Sequence, residues 1–240
     1  MKRNLLIGVV AVAGLIIYAI VTATCSSNRL EFDFSQGAQG WEADFAEYSQ
    51  EMEGMMLESG IRVLPSELGI NGAGYYLQGM NRSDDLFMFL KRRLGPKDGI
   101  VAGQEYRAVF TIVLASNAPS GGVGIGGSPG ESVFLKAGAS TAEPEASLDS
   151  ATGYYLMNVD KGEGNSGSGT AASVVGNIAN GLSAEEDPRY VSLARQHEHE
   201  YTVTASPDGE LWLLVGTDSG FEGLTGIYYQ AIAVALQPVK

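Results

Sequence analysis

Residues 106–114 read Tyr-Arg-Ala-Val-Phe-Thr-Ile-Val-Leu, the longest run of β-branched and aromatic residues in the chain. Such residues favour strands, because their side chains pack well on a pleated surface. Shorter runs of the same kind recur along the chain, at residues 30–34, 86–90, 154–159, 211–215 and 227–236. About eleven short strands with glycine-rich connections predict an all-β fold, a two-sheet β-sandwich of jelly-roll type.

The strand-rich region reads as one domain covering residues 29–240. It contains no proline- and serine-rich linker, no repeat of fixed period and no run of five like charges. Helical signals are weak, because the helix formers of residues 52–57 are interrupted by Gly54 and followed by Gly60. A length above 200 residues is ordinary for a single β-sandwich.

Composition excludes several classes of protein. The formal charge of −13 argues against nucleic-acid binding, because phosphate recognition needs a concentrated positive field. A single cysteine excludes a disulfide-stapled scaffold and a cysteine-based zinc site. With 45% hydrophobic residues, the chain can bury a core.

The first 25 residues predict a hydrophobic signal peptide or anchor helix. Lys2 and Arg3 precede residues 5–24, which are uncharged and mostly apolar. A helix of about 20 residues is long enough to cross a bilayer, with its positive end in the cytoplasm. Residues 22–25 (Thr-Ala-Thr-Cys) resemble a bacterial lipobox, which would make Cys25 the lipidated residue. Ordinary cleavage after Ala23 and an uncleaved anchor are the alternatives, and all three predict an extracytoplasmic domain at the cell envelope.

Both ends of the domain resemble known binding modules. Phe32-Asp33-Phe34, Gly37 and Gly40-Trp41 resemble the opening of bacterial carbohydrate-binding and galactose-binding-like jelly rolls, and residues 227–234 resemble their last strand. Segments 40–48, 126–132 and 216–223 resemble a group of uncharacterised bacterial surface lipoproteins. The first resemblance implies a jelly roll whose first and last strands are neighbours. The second implies a fold and a compartment, and it brings no known activity.

The same resemblance implies one possible cofactor, a structural calcium ion. Many carbohydrate-binding jelly rolls hold calcium between the first and last strands, with a carboxylate near the opening motif and an aspartate in the last strand. Here Asp33 or Glu31 would supply the first ligand, and Gln230 stands where the family has aspartate. A glutamine amide oxygen can bind calcium but brings no charge.

Aromatic residues are the candidate ligand contacts. Three tyrosine pairs, at residues 75–76, 154–155 and 228–229, occur at predicted strand starts. Neighbours on a strand face opposite sides, so each pair should place one ring in the core and one outside. The apolar run around Trp212 predicts a core residue. Trp41 follows a glycine turn and is predicted to be either a surface aromatic residue or a cap on the core. We predict ligand contacts from Trp41, Tyr76, Tyr155 and Arg92.

Two further groups of residues could carry chemistry. His197 and His199 share one strand face and could bind a transition metal, or they could simply be solvated. The acidic residues Asp84, Asp85, Asp218 and Glu222 could act as paired carboxylates in hydrolysis, but aspartate is also an ordinary turn former.

The sequence therefore predicts a membrane-tethered binding protein of the cell envelope. Non-catalytic carbohydrate binding is the leading hypothesis, by aromatic stacking and hydrogen bonds. The first alternative is a glycan hydrolase or lyase that uses the acidic residues. The second is a structural or adhesion lipoprotein, which would expose an apolar patch to a protein partner.

Overall fold

The structure, a computed structural model, describes residues 28–82 and 85–240. Within these residues the chain forms fifteen strands and three short 3-10 helices. The strands are β1 (Asn28–Asp33), β2 (Glu42–Ala46), β3 (Tyr48–Ser49), β4 (Glu58–Val63), β5 (Ala73–Met80), β6 (Leu86–Leu94), β7 (Glu105–Ser116), β8 (Val133–Ser140), β9 (Ala146–Asp149), β10 (Tyr154–Met157), β11 (Ser173–Asn177), β12 (Val191–Glu198), β13 (Val203–Thr204), β14 (Leu211–Ser219) and β15 (Leu224–Pro238). The 3-10 helices are Phe34–Gln36, Ser66–Leu68 and Pro96–Asp98.

Two antiparallel sheets pack face to face, which confirms the all-β sandwich. The seven-stranded sheet has the order β12-β7-β15-β5-β4, with β1 also paired to β15 and β13 to β7. The five-stranded sheet has the order β11-β8-β14-β6-β2. Successive strands cross between the sheets, from β5 to β6, β7 and β8, so that one core forms between them.

Strand β7 shows how the pattern of residues builds this core. Its side chains alternate, so that Tyr106, Ala108, Phe110, Ile112 and Leu114 point inward and are fully buried. The side chains between them lie on the outer face of the seven-stranded sheet. The opposite wall of the core comes from alternate residues of β6, β8 and β14.

The last strand organises the seven-stranded sheet. Strand β15 pairs along one side with β7, and along its other side first with β5 and then with β1. Asn28 lies opposite Leu236, and Tyr76 lies opposite Tyr228. The expectation that the first and last strands are neighbours is therefore confirmed.

The two outer faces of the sandwich differ. The outer face of the five-stranded sheet is covered by a small third sheet, β3-β10-β9, and by residues 158–172. Phe87, Phe89 and Leu214 form a second small core beneath this cover. The outer face of the seven-stranded sheet carries the exposed alternate residues of β12 and faces solvent.

The N-terminal predictions concern residues outside this description. The proposed anchor helix and the lipidation of Cys25 fall on residues 1–27, and Asp84 is likewise not described. Among residues 28–82 and 85–240, no helix is long and apolar enough to span a membrane.

Candidate functional site

Three tyrosines meet on the outer face of the seven-stranded sheet. Tyr76 on β5 and Tyr228 on β15 lie opposite each other in register, with ring centroids 4.6 Å apart. Tyr190 comes from the loop before β12, and its ring meets the ring of Tyr228 edge-on at 5.3 Å. We call Tyr76, Tyr190 and Tyr228 the tyrosine cluster. Aromatic rings at these separations attract one another beyond their burial.

A glycine makes room for the cluster. A Cβ on Gly226 would lie 2.7 Å from the Tyr76 hydroxyl and 3.4 Å from the Tyr190 hydroxyl. The Tyr190 hydroxyl donates a hydrogen bond of 3.3 Å to the Gly226 carbonyl. The backbone N–H of Tyr190 donates to the Glu67 carboxylate at 2.9 Å, which ties two distant loops together beside the rings. The cluster is thus built by contacts among several segments.

Polar side chains surround the rings. The Arg62 guanidinium lies 4.3 Å above the Tyr76 centroid, in cation–π geometry, and pairs with Glu58 at 2.6 Å. The Tyr76 hydroxyl donates to Gln78 Oε1 at 2.6 Å. Burial raises the pKa of Tyr76 and of Tyr190, so their hydroxyls stay protonated at physiological pH. The site therefore offers apolar ring surface together with neutral and cationic donors.

A cleft adjoins the cluster at the start of β15. Its volume is about 190 Å³, and Gly226 lines it together with Asn117, Pro119, Pro129, Phe221 and Leu224. A second, more polar cleft of about 360 Å³ lies elsewhere, beside Thr141, Asp160 and Thr202. None of the side chains singled out from the sequence lines either cleft.

The tyrosine pairs at residues 75–76 and 228–229 confirm the prediction of one ring in and one ring out. Tyr75 and Tyr229 belong to the core, and Tyr76 and Tyr228 lie on the outer face. Tyr76 is nevertheless almost covered by its neighbours, so Tyr228 and Tyr190 are the half-exposed rings of the cluster. Gln78 could have been inferred from alternation along β5, but Arg62 and Tyr190 approach Tyr76 only through the tertiary fold.

The other three predicted contacts lie elsewhere. Trp41 is 2% exposed and packs edge-on against Phe32 at 5.5 Å, so the surface interpretation is wrong and the core-cap alternative holds. Arg92 stacks its guanidinium 4.4 Å above Phe32 and lies 3.9 Å from Asp98. Tyr155 belongs to the small third sheet, where its ring stacks on Tyr48 at 5.1 Å. These residues do not join the tyrosine cluster.

The two predicted calcium ligands serve other partners. The Asp33 carboxylate accepts a hydrogen bond of 2.9 Å from the backbone N–H of Ser35 and caps a 3-10 helix. Gln230 sits in a bulge of β15, and its amide oxygen accepts from the Ser192 hydroxyl at 3.1 Å, across β7 and away from β1. A calcium ion between them would need both side chains to leave these partners. Within the described ranges, no three His, Cys, Asp or Glu side chains are placed to hold a metal ion.

Two of the acidic candidates do converge. Asn165 Nδ2 lies 3.2 Å from Asp85 Oδ1 and 3.3 Å from Asp218 Oδ1, and Lys161 pairs with both carboxylates. Burial and the nearby Asp218 charge raise the pKa of Asp85 to about 7. Asp218 has no exposed surface, however, so a glycan cannot reach it in this arrangement. Glu222 lies apart, on the loop that contacts Ile125.

The two histidines are joined by a serine. The Ser173 hydroxyl lies 2.7 Å from His197 Nε2 and 2.7 Å from His199 Nδ1. His199 Nε2 lies 3.1 Å from the Thr170 carbonyl, so it carries the proton there, and Nδ1 accepts from Ser173. The pair therefore fastens residues 158–172, which we call the covering segment, to the edge of the sandwich.

The histidine pair should make stability depend on pH. Burial lowers the pKa of His197 and His199 below the ordinary value of 6.5. The unfolded chain then binds more protons in this range, so stability falls as pH drops through and below 6.5. Over the same range Asp85, whose pKa is raised to about 7, gains stability on protonation and opposes this fall. We therefore expect the histidines to contribute a fall in the urea midpoint between about pH 7.5 and about pH 5.5, measured as the difference between the wild type and the variant that lacks them. Replacing both residues, His197→Gln with His199→Gln, should weaken this fall, and an unchanged slope would contradict the assignment.

Comparisons with known proteins add distant similarities. No protein family and no curated protein matches the chain. A solved structure from work on β-sandwich carbohydrate-binding modules has 11% identity and a TM-score of 0.38, with 87% of this chain and 61% of that chain covered. A xylan-binding domain of Paenibacillus barcinonensis has 11% identity and a TM-score of 0.38, with coverages of 92% and 99%. An adhesin domain of Lys-gingipain from Porphyromonas gingivalis has 10% identity and a TM-score of 0.37, with coverages of 86% and 96%.

The chain thus spans only 61% of the first of these structures. At TM-scores below 0.5, these similarities carry no argument about what the chain binds. The resemblance to surface lipoproteins stays a prediction. The geometry of the tyrosine cluster is therefore the feature of this chain that points to a function.

Proposed function

We propose that this chain is a non-catalytic glycan-binding protein that uses the tyrosine cluster as its ligand platform. The observation that carries the proposal is the meeting of Tyr76, Tyr190 and Tyr228 on the solvent-facing side of the seven-stranded sheet. Clusters of aromatic rings are normally buried inside a core, whereas this one lies on an outer face. Its half-exposed rings and bordering polar groups match the chemistry of a sugar.

Each part of the site has a role in this proposal. The C–H face of a pyranose ring would stack on Tyr228 and Tyr190, which give rigid apolar surface at a small entropy cost. Arg62, 42% exposed at its side chain, and Gln78 would hydrogen-bond to sugar hydroxyls. The adjoining cleft at Gly226 would receive a second sugar unit or a substituent.

The position of the site suits a tethered protein. The described chain begins at Asn28, opposite Leu236, whereas the cluster residue Tyr228 lies eight positions earlier on β15. At about 3.3 Å per residue, the two points are separated by roughly 26 Å along the strand. With the N-terminal segment in a membrane, the cluster would lie on the part of the sandwich away from the tether. The extracytoplasmic location and the jelly-roll class belong to this proposal.

The proposal predicts a specific loss of binding in Tyr228→Ala. A glycan array with the purified protein would identify a ligand, and calorimetry would then compare the variants. Loss of a stacked aromatic ring should weaken the affinity at least tenfold, since an aromatic anchor commonly contributes more than about 1.4 kcal/mol. Tyr155→Ala is the matched control and should bind as the wild type does. Equal affinity of Tyr228→Ala and wild type would contradict the site.

A protein partner is the second candidate function. Val123 is 98% exposed and Ile125 is 72% exposed, at the tip of the glycine-rich loop before β8. The loop is fixed, because the Glu222 backbone N–H donates to the Ile125 carbonyl at 2.9 Å. A fixed pair of exposed aliphatic side chains suits an apolar pocket on another protein. A blank glycan array would move the assignment to this surface.

A further inference from the structure

Four charged side chains are gathered beneath the cover of the five-stranded sheet. Lys136 on β8 and Asp218 on β14 form an ion pair of 2.8 Å, and neither side chain has exposed surface. Lys161, from the covering segment, lies 2.8 Å from the same oxygen of Asp218 and 3.6 Å from Asp85. The aromatic ring of Phe87 lies beside the Lys161 ammonium at 5.7 Å. Glycan binding uses none of these groups.

This arrangement is unusual because of its burial. Ion pairs without solvent contact lose most of their Coulombic gain to desolvation, and removing both charges is often neutral or stabilising. Lys136 Nζ is enclosed completely by Asp218, the Lys161 carbonyl at 2.9 Å and the Gly164 carbonyl at 3.4 Å. A nucleophile and a carboxyl group are therefore held together in a site that excludes water.

We propose that Lys136 and Asp218 react to form an intramolecular isopeptide bond between β8 and β14, with Asp85 as the proton carrier. In the register of the sheet, Lys136 lies opposite Gly216, so Lys136 and Asp218 are diagonal neighbours. Side chains in that relation reach each other without moving either strand. The bond would join β8 and β14 covalently on the face of the sheet that residues 158–172 cover.

The reaction balances without any further reagent. The Lys136 Nζ lone pair attacks Asp218 Cγ, and a carbon–nitrogen bond forms. One carboxyl oxygen leaves with two protons as water, and both protons come from the lysine ammonium. Asp85 would take a proton from the nitrogen and return it to the leaving oxygen. The ammonium and the carboxylate thus become one neutral amide and one water molecule, and nothing is oxidised or reduced.

The surroundings favour each step. Burial lowers the pKa of Lys136, which increases its unprotonated, nucleophilic fraction. Asp85 lies at the reacting carboxyl group, because Asn165 Nδ2 is 3.2 Å from Asp85 Oδ1 and 3.3 Å from Asp218 Oδ1. The pKa of Asp85 is raised to about 7, mainly by burial, so this group can both accept and donate a proton near neutral pH. Burial alone would lower the pKa of Lys161, but the negative charges of Asp218 and Asp85 outweigh burial, and the net effect is a raised pKa. Lys161 therefore stays charged beside the developing oxyanion. Glu47 adds negative charge near Asp85 and Lys161.

The same data select Lys136 over Lys161 as the nucleophile. Lys161 faces two carboxylates, and its pKa is raised, so it remains an ammonium ion. Lys136 faces only Asp218 among the carboxylates within 4 Å in the described part of the chain. Asn165 holds the other oxygen of Asp218, at 3.3 Å, and so orients the carboxyl group for attack.

Mass spectrometry of the full chain tests this proposal. Trypsin does not cleave after an acylated lysine, so the peptides that contain Lys136 and Asp218 should appear as one branched species. Its mass should be about 18 Da, one water molecule, below the sum of the two peptides that it joins, which are residues 108–161 left uncleaved at Lys136 and residues 196–240. Wild-type protein that is cleaved after Lys136, and that yields residues 108–136, 137–161 and 196–240 only as three separate peptides at full mass, overturns the proposal. A branched species joined through Lys161 overturns the assignment of Lys136.

Variants separate the roles. Lys136→Met should remove the branched species, and Asp85→Asn should slow its appearance roughly a hundredfold after refolding. Lys91→Met is the matched control, because Lys91 also pairs with a carboxylate, Glu143 at 2.6 Å, but near the surface. It should keep the branched species. If Lys136→Met does not fold, the wild-type peptide map still decides the question.

Discussion

Replacing Asp218 with alanine is expected to lower the free energy of unfolding by about 3 to 5 kcal/mol. The carboxylate faces Lys136 and Lys161 at 2.8 Å each, and it has no contact with solvent. In chains without the Lys136–Asp218 bond, its removal leaves two ammonium groups in the protein interior without their counter-ion, which is the costly way to break a buried ion pair. In chains with the bond, the variant loses the covalent link between β8 and β14, so a loss of stability is expected in either form. Urea denaturation of wild type and Asp218→Ala would measure the difference.

Asp208→Ala is the control for this measurement. Asp208 lies in an exposed turn after β13, so its replacement should change stability by no more than about 0.5 kcal/mol. A loss below about 1 kcal/mol in Asp218→Ala would mean that the lysines find other partners or lose their charge cheaply. The buried cluster would then contribute little to the fold.

Trp41→Ala is expected to lower the free energy of unfolding by a similar amount, about 3 to 5 kcal/mol. The indole packs edge-on against Phe32 at 5.5 Å and Phe34 at 6.3 Å, and 2% of its surface is exposed. Truncation removes that burial and leaves a cavity between rings that cannot collapse freely. Thermal or urea unfolding would measure the loss.

Trp212→Ala provides the comparison for Trp41→Ala. Trp212 lies half-buried on the outer face of the five-stranded sheet, beside Lys91 at 5.7 Å. Its replacement should cost clearly less than the loss in Trp41→Ala. Moreover, folded Trp41→Ala should keep the glycan affinity of the wild type. An equal or larger loss in Trp212→Ala, or loss of glycan binding in folded Trp41→Ala, would contradict this account.

The two tryptophans show what strand patterns do and do not reveal. The apolar run at residues 211–215 suggested a buried Trp212, but alternation places Leu211, Leu213 and Val215 in the main core and turns Trp212 outward. Trp41 follows a glycine turn and has no periodic context, so its burial depends on the distant rings that meet it. Fold class follows from local pattern, and the pairing of the first and last strands follows from the resemblance of the end motifs to jelly rolls. The depth of a single side chain follows from neither.

The candidate site was predictable only in part, for the same reason. Tyr76 and Tyr228 could be placed outward by alternation along their strands, but their register across β5 and β15 is a property of the sheet. Tyr190 lies in a loop and reaches the cluster through Gly226 and Glu67, which are far from it in sequence. The lysines of the buried cluster gave no sequence signal, because the segment that covers them is defined only in the folded chain.

The most direct test of the proposed function is to locate a bound glycan by NMR. The protein would be labelled with ¹³C in its tyrosine rings and titrated with a glycan that binds on the array, in calcium and in chelator. We predict that the resonances of Tyr76, Tyr190 and Tyr228 shift with one saturation curve in both buffers, while those of Tyr48 and Tyr155 stay fixed. Shifts confined to Tyr48 and Tyr155, or no shift of the cluster at saturation, would contradict the account.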